Sequence, residues 1–192
     1  MRAVDDAVAH EDDAVLVLRA RSDPADFAAL YERYLDPVYR YCYRRLATRE
    51  TAEDATSQVF FKALASLPTF RAGSFRAWLF TIAHNVVTDS YRRRRPTQTL
   101  DDMPEPEDPA HGPEERAVAA DERRNLHALL GRLTADQQRV LELRLAGLTG
   151  AEIAAVLGRD VAAIKMLQLR AMRRLRVLLV EDGRPTGADD GG

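Results

Sequence analysis

The chain has 192 residues, of which 46% are hydrophobic, a length and composition for one large or two small globular domains. No apolar run approaches the ~18 residues of a membrane span, the N-terminal MRAVDDAVAHEDD is acidic and unlike a signal peptide, and the single Cys42 excludes an internal disulfide framework. The net charge of −2 hides a segregation, because residues 1–13 carry a net −4, residues 97–115 a net −7 and residues 181–192 a net −3.

What remains is strongly basic. Two basic blocks, joined and flanked by acidic tethers, point to a polyanionic partner. With nothing to export or insert the chain, a cytoplasmic location without membrane insertion is expected.

Residues 14–21, AVLVLRAR, read as a short helix. Asp23 then caps, Pro24 takes the first helical position, and a long helix runs towards Leu46. Its Phe27, Leu30, Tyr31, Tyr34, Val38 and Tyr41 fall at three- and four-residue spacing. Cys42 lies among these aromatics as a packed thiol. Thr48 to Thr51 is a turn, and Ala52 to Ser66 is the next helix, ended by Leu67-Pro68. Ala52, Ala55, Val59, Ala63 and Leu64 are expected to face inward, with Glu53, Asp54, Ser57, Gln58 and Lys62 outward.

After the short loop PTFRAGS comes SFRAWLFTIAHNVVTDSYRRRRP, from Ser74 to Pro96. Ser74 can cap a helix and Pro96 cannot continue one. At about 100° per residue, Leu79, Phe80, Ala83, Val86 and Val87 make an apolar face. The opposite face holds Thr81, His84, Asn85, Thr88, Tyr91, Arg92 and Arg95, with Trp78 on its margin. Hydroxyl, amide and guanidinium groups along a whole face suit nucleic acid, since Arg binds phosphate and Asn or Thr can bond base edges or backbone. Four consecutive arginines, Arg92 to Arg95, set this face apart from an ordinary solvated one.

Residues 97–115 contain four prolines and no hydrophobic period, the marks of an extended, disordered tether. A helical pattern resumes near Arg116 and runs towards Leu130. Thr134 with Gln137 makes a capping box for a helix from Ala135 to Ala146, closed by Gly147. Thr149 with Glu152 makes a second box for a short helix to Leu157, closed by Gly158. Asp160 caps a last helix that continues to about Val180, and the polar, Gly-rich tail does not fold. All thirteen aromatic residues lie between Phe27 and Tyr91, which leaves the second block an aliphatic core and argues for two separate domains.

Residues 149–176 form a short helix, a glycine turn and a longer helix, the pattern of a helix-turn-helix whose second helix enters the major groove. Ile164, Leu167, Ala171, Leu175 and Leu178 make its buried stripe, so Lys165, Met166, Leu169, Arg170 and Arg173 point outwards. Lys and Arg there can bond guanine edges or phosphates, while Met166 and Leu169 suit thymine methyls or a protein partner. His10, His84, His111 and His127 are scattered without metal-ligand spacing. No phosphate loop, nucleophile elbow or buried carboxylate pair is found. Neither a cofactor nor an enzymatic activity is expected.

With these residues in place, the chain resembles a bacterial RNA polymerase sigma factor of the extracytoplasmic-function (ECF) type, in the sigma-70 family. FAALYERYLDPVYRYCYRRL, AEDATSQVFFKAL, FRAGSFRAWLFTIAHNVVTDSYRRRRP and the helix-turn-helix look like the family's segments in order. The resemblance implies an all-α chain of two small helical domains joined by a flexible acidic Pro-rich linker. Residues 14–96 would be region 2, 97–115 the linker and 116–180 region 4, with 1–13 and 181–192 as disordered tails. Region 2 would bind the polymerase clamp helices through Asp54, Ser57, Gln58 and Phe61, and open the −10 promoter element. Phe70 in its loop would hold a flipped base, with Arg71 beside it and Asn85 contributing to recognition. Trp78 would serve the upstream edge of the melted segment or only packing, and His84 either DNA or the bare surface. Thr81 and Thr88 complete the −10 face, and Arg92, Arg93 and Arg95 would bind duplex phosphates. Region 4 would read the −35 element through Lys165, Met166, Leu169, Arg170 and Arg173 and engage the polymerase flap. Promoter DNA, core RNA polymerase and an anti-sigma factor are the partners the resemblance implies.

Two positions depart from the family pattern. Ser57 stands where a glutamine is common, which shifts weight to Gln58. Met166-Leu167 stands where Ser-Arg is usual, which shifts base readout to Lys165, Arg170 and Arg173. The competing reading is a stand-alone helix-turn-helix regulator with an N-terminal sensory or dimerisation domain, and it leaves the face from Thr81 to Arg95 unexplained.

Overall fold

The computed structural model describes residues 12–46, 48–71, 73–94 and 128–181, with the side chains of residues 93 and 94 left out. Seven α-helices lie wholly within these residues and no strand does: α1 (Asp13–Ser22), α2 (Phe27–Leu46), α3 (Arg49–Ser66), α4 (Phe75–Arg94), α5 (Ala135–Leu145), α6 (Gly150–Leu157) and α7 (Val161–Glu181), and residues 128–131 are helical as well. The expected linker, the expected start of the second block at 116–127 and both tails (1–11 and 182–192) lie outside the described residues.

The helix starts follow from capping chemistry. Asp12 accepts from Ala14 N–H at 3.2 Å to open α1. Asp23 accepts from Ala25 N–H at 2.9 Å, but Pro24 opens one 3₁₀ turn (Pro24–Asp26) before α2 begins at Phe27. α2 runs unbroken through Pro37, which removes one rung of its ladder. Thr48 caps α3, and Ser74 caps α4 by accepting from Ala77 N–H at 3.1 Å. Both expected capping boxes form, Thr134 with Gln137 on α5 and Thr149 with Glu152 on α6. Gly158 closes α6 with φ +61°, the left-handed conformation that favours glycine. Asp160 then accepts from Ala163 N–H at 2.7 Å to open α7.

The core is largely the one the periodicity predicts. Leu79, Phe80, Ala83, Val86 and Val87 of α4 are all buried, as are Phe27, Leu30, Tyr34, Val38 and Tyr41 of α2. On α3, however, Leu64 is 41% exposed and Phe60 is buried in its stead. The stripe centres on Ala52, Val59 and Ala63, and at about 100° per residue Leu64 lies further round the helix than Phe60. Phe60 meets Phe27 and Tyr31 with ring centroids 6.4 Å and 4.7 Å apart. Tyr31 caps that contact from the exposed side.

The larger difference lies between the two blocks. One continuous buried cluster runs from Leu16 on α1 through α4 and takes in Val140, Leu143, Leu148, Ile153, Ala154, Val156 and Ile164 of the second block. A smaller cluster of Leu130, Leu133, Leu141 and Ala171 is left on the far side. The two helical blocks expected from sequence are present, yet they share a core. Periodicity reveals that α5 and α6 each have a face to bury, but it does not reveal against what.

Candidate polymerase and nucleic-acid faces

The first face is on α3. Asp54, Ser57, Gln58 and Phe61 are all exposed and fall at i, i+3, i+4 and i+7, so they form a single stripe. Phe61 is 75% exposed, the most solvent-accessible of the large hydrophobic residues described. An aromatic ring left in water beside a carboxylate and an amide is a surface built to be covered. Phe61 also lines a shallow, open recess of about 360 Å³ with Lys62, Ala65, Ser66, Ile82 and Asn85. The recess lies between α3 and α4, and it brings Asn85 of the expected DNA face next to Phe61 of the expected polymerase face. Lys62 was expected only to face outward and Ile82 was not singled out in the sequence, where no periodicity relates one helix to its neighbour.

The second face is on α4 and its preceding loop. Phe70, Phe75 and Trp78 pack mutually, with centroids 5.1 to 5.9 Å apart, and Tyr34 joins Phe75 at 5.6 Å. Phe70 and Trp78 remain half-exposed, so each ring packs inward along one side and offers the other to a ligand. Arg71, Asn85, Tyr91 and Arg92 are exposed. Thr81 and Thr88 are half-buried and donate their hydroxyl protons to Ala77 O at 2.8 Å and His84 O at 2.7 Å. Their oxygens can accept, but their protons are committed to the helix. Arg93 and Arg95 present no described side chain.

His84 departs most from its expected place. It is half-buried, and its Nδ1 shares a hydrogen bond of 3.1 Å with Tyr41 Oη. Burial, then the charges of Arg139 and Arg45, push its pKa below the ordinary value. A neutral imidazole held by a buried tyrosine is not a cation for phosphate. The sequence placed His84 on the polar face but gave no sign that Arg139, from the second block, would lie beside it.

The third face is the outer side of α7. Lys165, Met166, Leu169, Arg170 and Arg173 are all exposed, while Ile164, Ala171 and Leu178 are buried beneath them. Cationic heads interleaved with methionine and leucine suit an edge that is partly charged and partly methyl-bearing, such as a duplex groove.

Sequence reasoning missed the charged seam between the blocks. Arg45 Nη1 meets Glu142 Oε2 at 3.2 Å with both side chains largely buried, and Arg44 Nη2 donates to Glu142 O at 3.5 Å. Burial pushes the Glu142 carboxyl up, against the pull of Arg45, Arg44 and Arg139. The Nε atoms of all three arginines are buried without a hydrogen-bond partner. Further along, Ser74 donates to Glu152 at 2.6 Å and Arg76 donates to Gly147 O at 3.1 Å. The available signal was Glu142 itself, a lone carboxylate inside the apolar run Val140 to Leu143.

Among the described residues no group of His, Cys, Asp and Glu could hold a metal ion, and no helix is long and apolar enough to cross a membrane. The family comparisons agree with the fold. Residues 30–97 match sigma-70 region 2 and residues 123–175 match sigma-70 region 4, so the chain belongs to the sigma-70 family. Within it the chain belongs to the ECF RNA polymerase sigma factors. It is 33% identical over 183 residues to the ECF sigma factor SigD of Mycobacterium bovis, covering 89% of this chain and 85% of that one. It is 41% identical over 175 residues to the ECF sigma factor BldN of Streptomyces coelicolor, covering 88% of this chain but only 66% of that longer relative. The solved structure of CnrH in complex with the cytosolic domain of CnrY superposes with a TM-score of 0.71 at 27% identity, covering 88% of this chain and 98% of CnrH.

Proposed function

We propose that this chain binds core RNA polymerase and directs promoter recognition, −10 melting and transcription initiation, with no enzymatic activity of its own and at work in the cytoplasm. The observation that carries the reading is the meeting of two faces at one recess. Phe61 of the α3 stripe and Asn85 of the α4 face line the same opening, so a protein surface and a DNA strand can be held side by side. In this reading Asp54, Ser57, Gln58 and Phe61 dock on the clamp helices. Phe70 and Trp78 offer ring faces to unpaired bases, and Asn85 reads an exposed edge, as single strands are held by stacking and hydrogen bonds. Arg71, Thr81, Thr88 and the arginines from Arg92 follow the backbone into the duplex. Lys165, Met166, Leu169, Arg170 and Arg173 read the −35 element, and the second block meets the flap.

The working units are residues 14–96 and 116–180, with 97–115 between them. CnrH is solved with the cytosolic domain of CnrY, and an anti-sigma factor is the kind of regulator we assign to this chain too. Reconstitution with core polymerase tests the function: initiation from a cognate promoter is expected only when the chain is added. Failure on every promoter tried, alongside tight duplex binding by the chain alone, would favour the stand-alone regulator instead.

A further inference from the structure

Arg159 stands between α6 and α7, two residues ahead of the first residue of α7, and both its backbone and its side chain are held. Gly158 turns the chain with φ +61°, and Arg159 N–H then donates to Ala154 O at 3.0 Å, which fixes the direction in which the side chain leaves. Its guanidinium crosses to the start of α5, where Nη2 donates to Asp136 Oδ2 at 2.6 Å. The other carboxylate oxygen of Asp136, Oδ1, accepts from Arg139 Nη1 at 3.1 Å, one turn along α5. Asp136 lies in the first turn of α5, whose start the Thr134–Gln137 capping box fixes.

This cluster adds little to folding. The Arg159 and Asp136 side chains remain 42% and 36% exposed, and ion pairs that wet contribute little to stability. Nor is it electrically closed, because two guanidiniums share one carboxylate and leave the group cationic. Arg139 turns inwards, where its charge reaches Glu142 and His84 and its Nε is buried. The outward share of the charge is therefore Arg159, which is exposed. Asp136 engages one nitrogen of its fork, and among the described residues no other acceptor is bonded to the rest. Asp160, next in the chain, caps α7 by accepting from Ala163 N–H at 2.7 Å, so this is the end of α7 that a helix-turn-helix points at base edges. An arginine just ahead of that end stands at the wall of the groove, where the phosphates run.

We propose, resting on the −35 reading of α7, that Arg159 grips a phosphate at the edge of the −35 groove and that Asp136 is its positioning residue. A free arginine loses rotamer freedom when it meets a phosphate. Asp136 has ordered the side chain before the duplex arrives, and the surplus positive charge of the cluster keeps the carboxylate from repelling the backbone. Phosphate contacts fix the register of a protein on its duplex, so this grip sets how Lys165 and Arg170 enter the groove.

Salt-dependent binding of the full chain to two short duplexes tests this, one carrying a −35 element mapped from a promoter the chain transcribes and one with that element scrambled. Arg159→Ala should weaken binding to both several-fold and flatten the log–log salt slope by about 0.9, because phosphate contacts carry no sequence information. Asp136→Ala supplies the sign. Acting through charge alone, removal of a carboxylate beside DNA tightens binding, whereas removal of a positioning residue should weaken it several-fold. In the Arg159→Ala background the same change should no longer weaken binding, since nothing is left to position. Three results would each overturn the proposal: an unchanged slope in Arg159→Ala, tighter binding by Asp136→Ala alone, or an equal loss from Asp136→Ala in both backgrounds, as a purely structural role produces. Arg159→Gln and Asp136→Ser stand in for either alanine variant that fails to fold, as judged by urea midpoints. The scrambled duplex needs no promoter. A wild type that binds both duplexes equally, while Arg159→Ala still flattens both slopes, would refute the −35 reading and leave the grip standing.

Discussion

α4 and α7 are nearly equal in length, and both carry a basic outer face, but they are held in unlike ways. Seven residues of α4 are buried, from Phe75 to Val87, and its start is tied to the second block through Ser74 at the N-cap and through Arg76. α7 fully buries only Ile164, Ala171 and Leu178, one residue every two turns, with Leu167 and Leu175 half-buried between them. Under the proposed function, the helix assigned to the opened −10 strand is the deeply anchored one, and the helix assigned to the −35 duplex is anchored at fewer points.

The largest expected effect comes from attacking the anchor. Phe80 is fully buried and meets Tyr41 edge to face at 5.6 Å. Phe80→Ala should lower stability by about 3–5 kcal/mol, while Met172→Ala, on the exposed side of α7, should stay within about 0.5 kcal/mol. Urea unfolding measures both, and equal losses would erase the contrast between the helices.

Next comes the outer face of α7. Replacing Lys165, Arg170 and Arg173 together by Ala should weaken −35 duplex binding and flatten the log–log salt slope by about 2.7 if all three neutralise phosphate. Arg92→Ala alone should flatten it by about 0.9 and only on complexes that include the −10 region. An unchanged slope in the triple variant would remove α7 from the DNA.

A finer test separates the two partners that meet at the recess. Asn85→Ala should shift −10 base preference by about tenfold, in the range of one lost base contact, and leave affinity for core polymerase intact. Phe61→Ala should do the reverse, weakening polymerase binding as truncation of an exposed aromatic anchor does. If Asn85→Ala loses the polymerase, the division of the recess between DNA and protein is wrong.

What the sequence disclosed and withheld divides along the same physical line. Capping chemistry is local, so Ser74, Thr134 with Gln137, Thr149 with Glu152, Gly158 and Asp160 could be read at their positions. Helical period placed the buried stripes of α4 and α7, and with them the outward side chains of Lys165 and Asn85. It failed where a residue sits at the edge of a stripe, as with Leu64 and Phe60, because the partner helix decides which edge is covered. It was silent on everything that joins distant segments. The Tyr41–His84 bond spans 43 residues and the Arg45–Glu142 pair 97, and no periodicity connects either pair. Glu152 was legible as a cap but not as a contact between the blocks, since its second oxygen turns to a serine 78 residues away.

The smallest effect, and the one whose sign is least obvious, is the response of the seam to acid. Burial, Arg139 and Arg45 hold the His84 imidazole below its ordinary 6.5. A group with a depressed folded pKa binds its proton more readily when unfolded, so His84 contributes stability above about pH 6.5 and loses it as the pH falls from there. Glu142 runs the other way. Its burial raises the carboxyl above 4.5 against Arg45, Arg44 and Arg139, so the folded chain takes up that proton more readily and the charge-burial cost lessens on acidification. Glu152 enters only lower down. Burial opposes it, but Ser74, Thr149 and Arg76 together hold it below 4.5, so its contribution stands until the pH drops through that value. Tyr41, pushed up by burial, stays neutral throughout. Between pH 7.5 and 5.5 His84 and Glu142 therefore act with opposite signs, His84 lowering the stability on acidification and Glu142 opposing that fall. Glu142→Gln removes the compensating group and should lose stability over that interval, whereas His84→Gln should hold or gain it. Urea midpoints at the two pH values read the difference, and parallel shifts in both variants would place the acid response outside this pair.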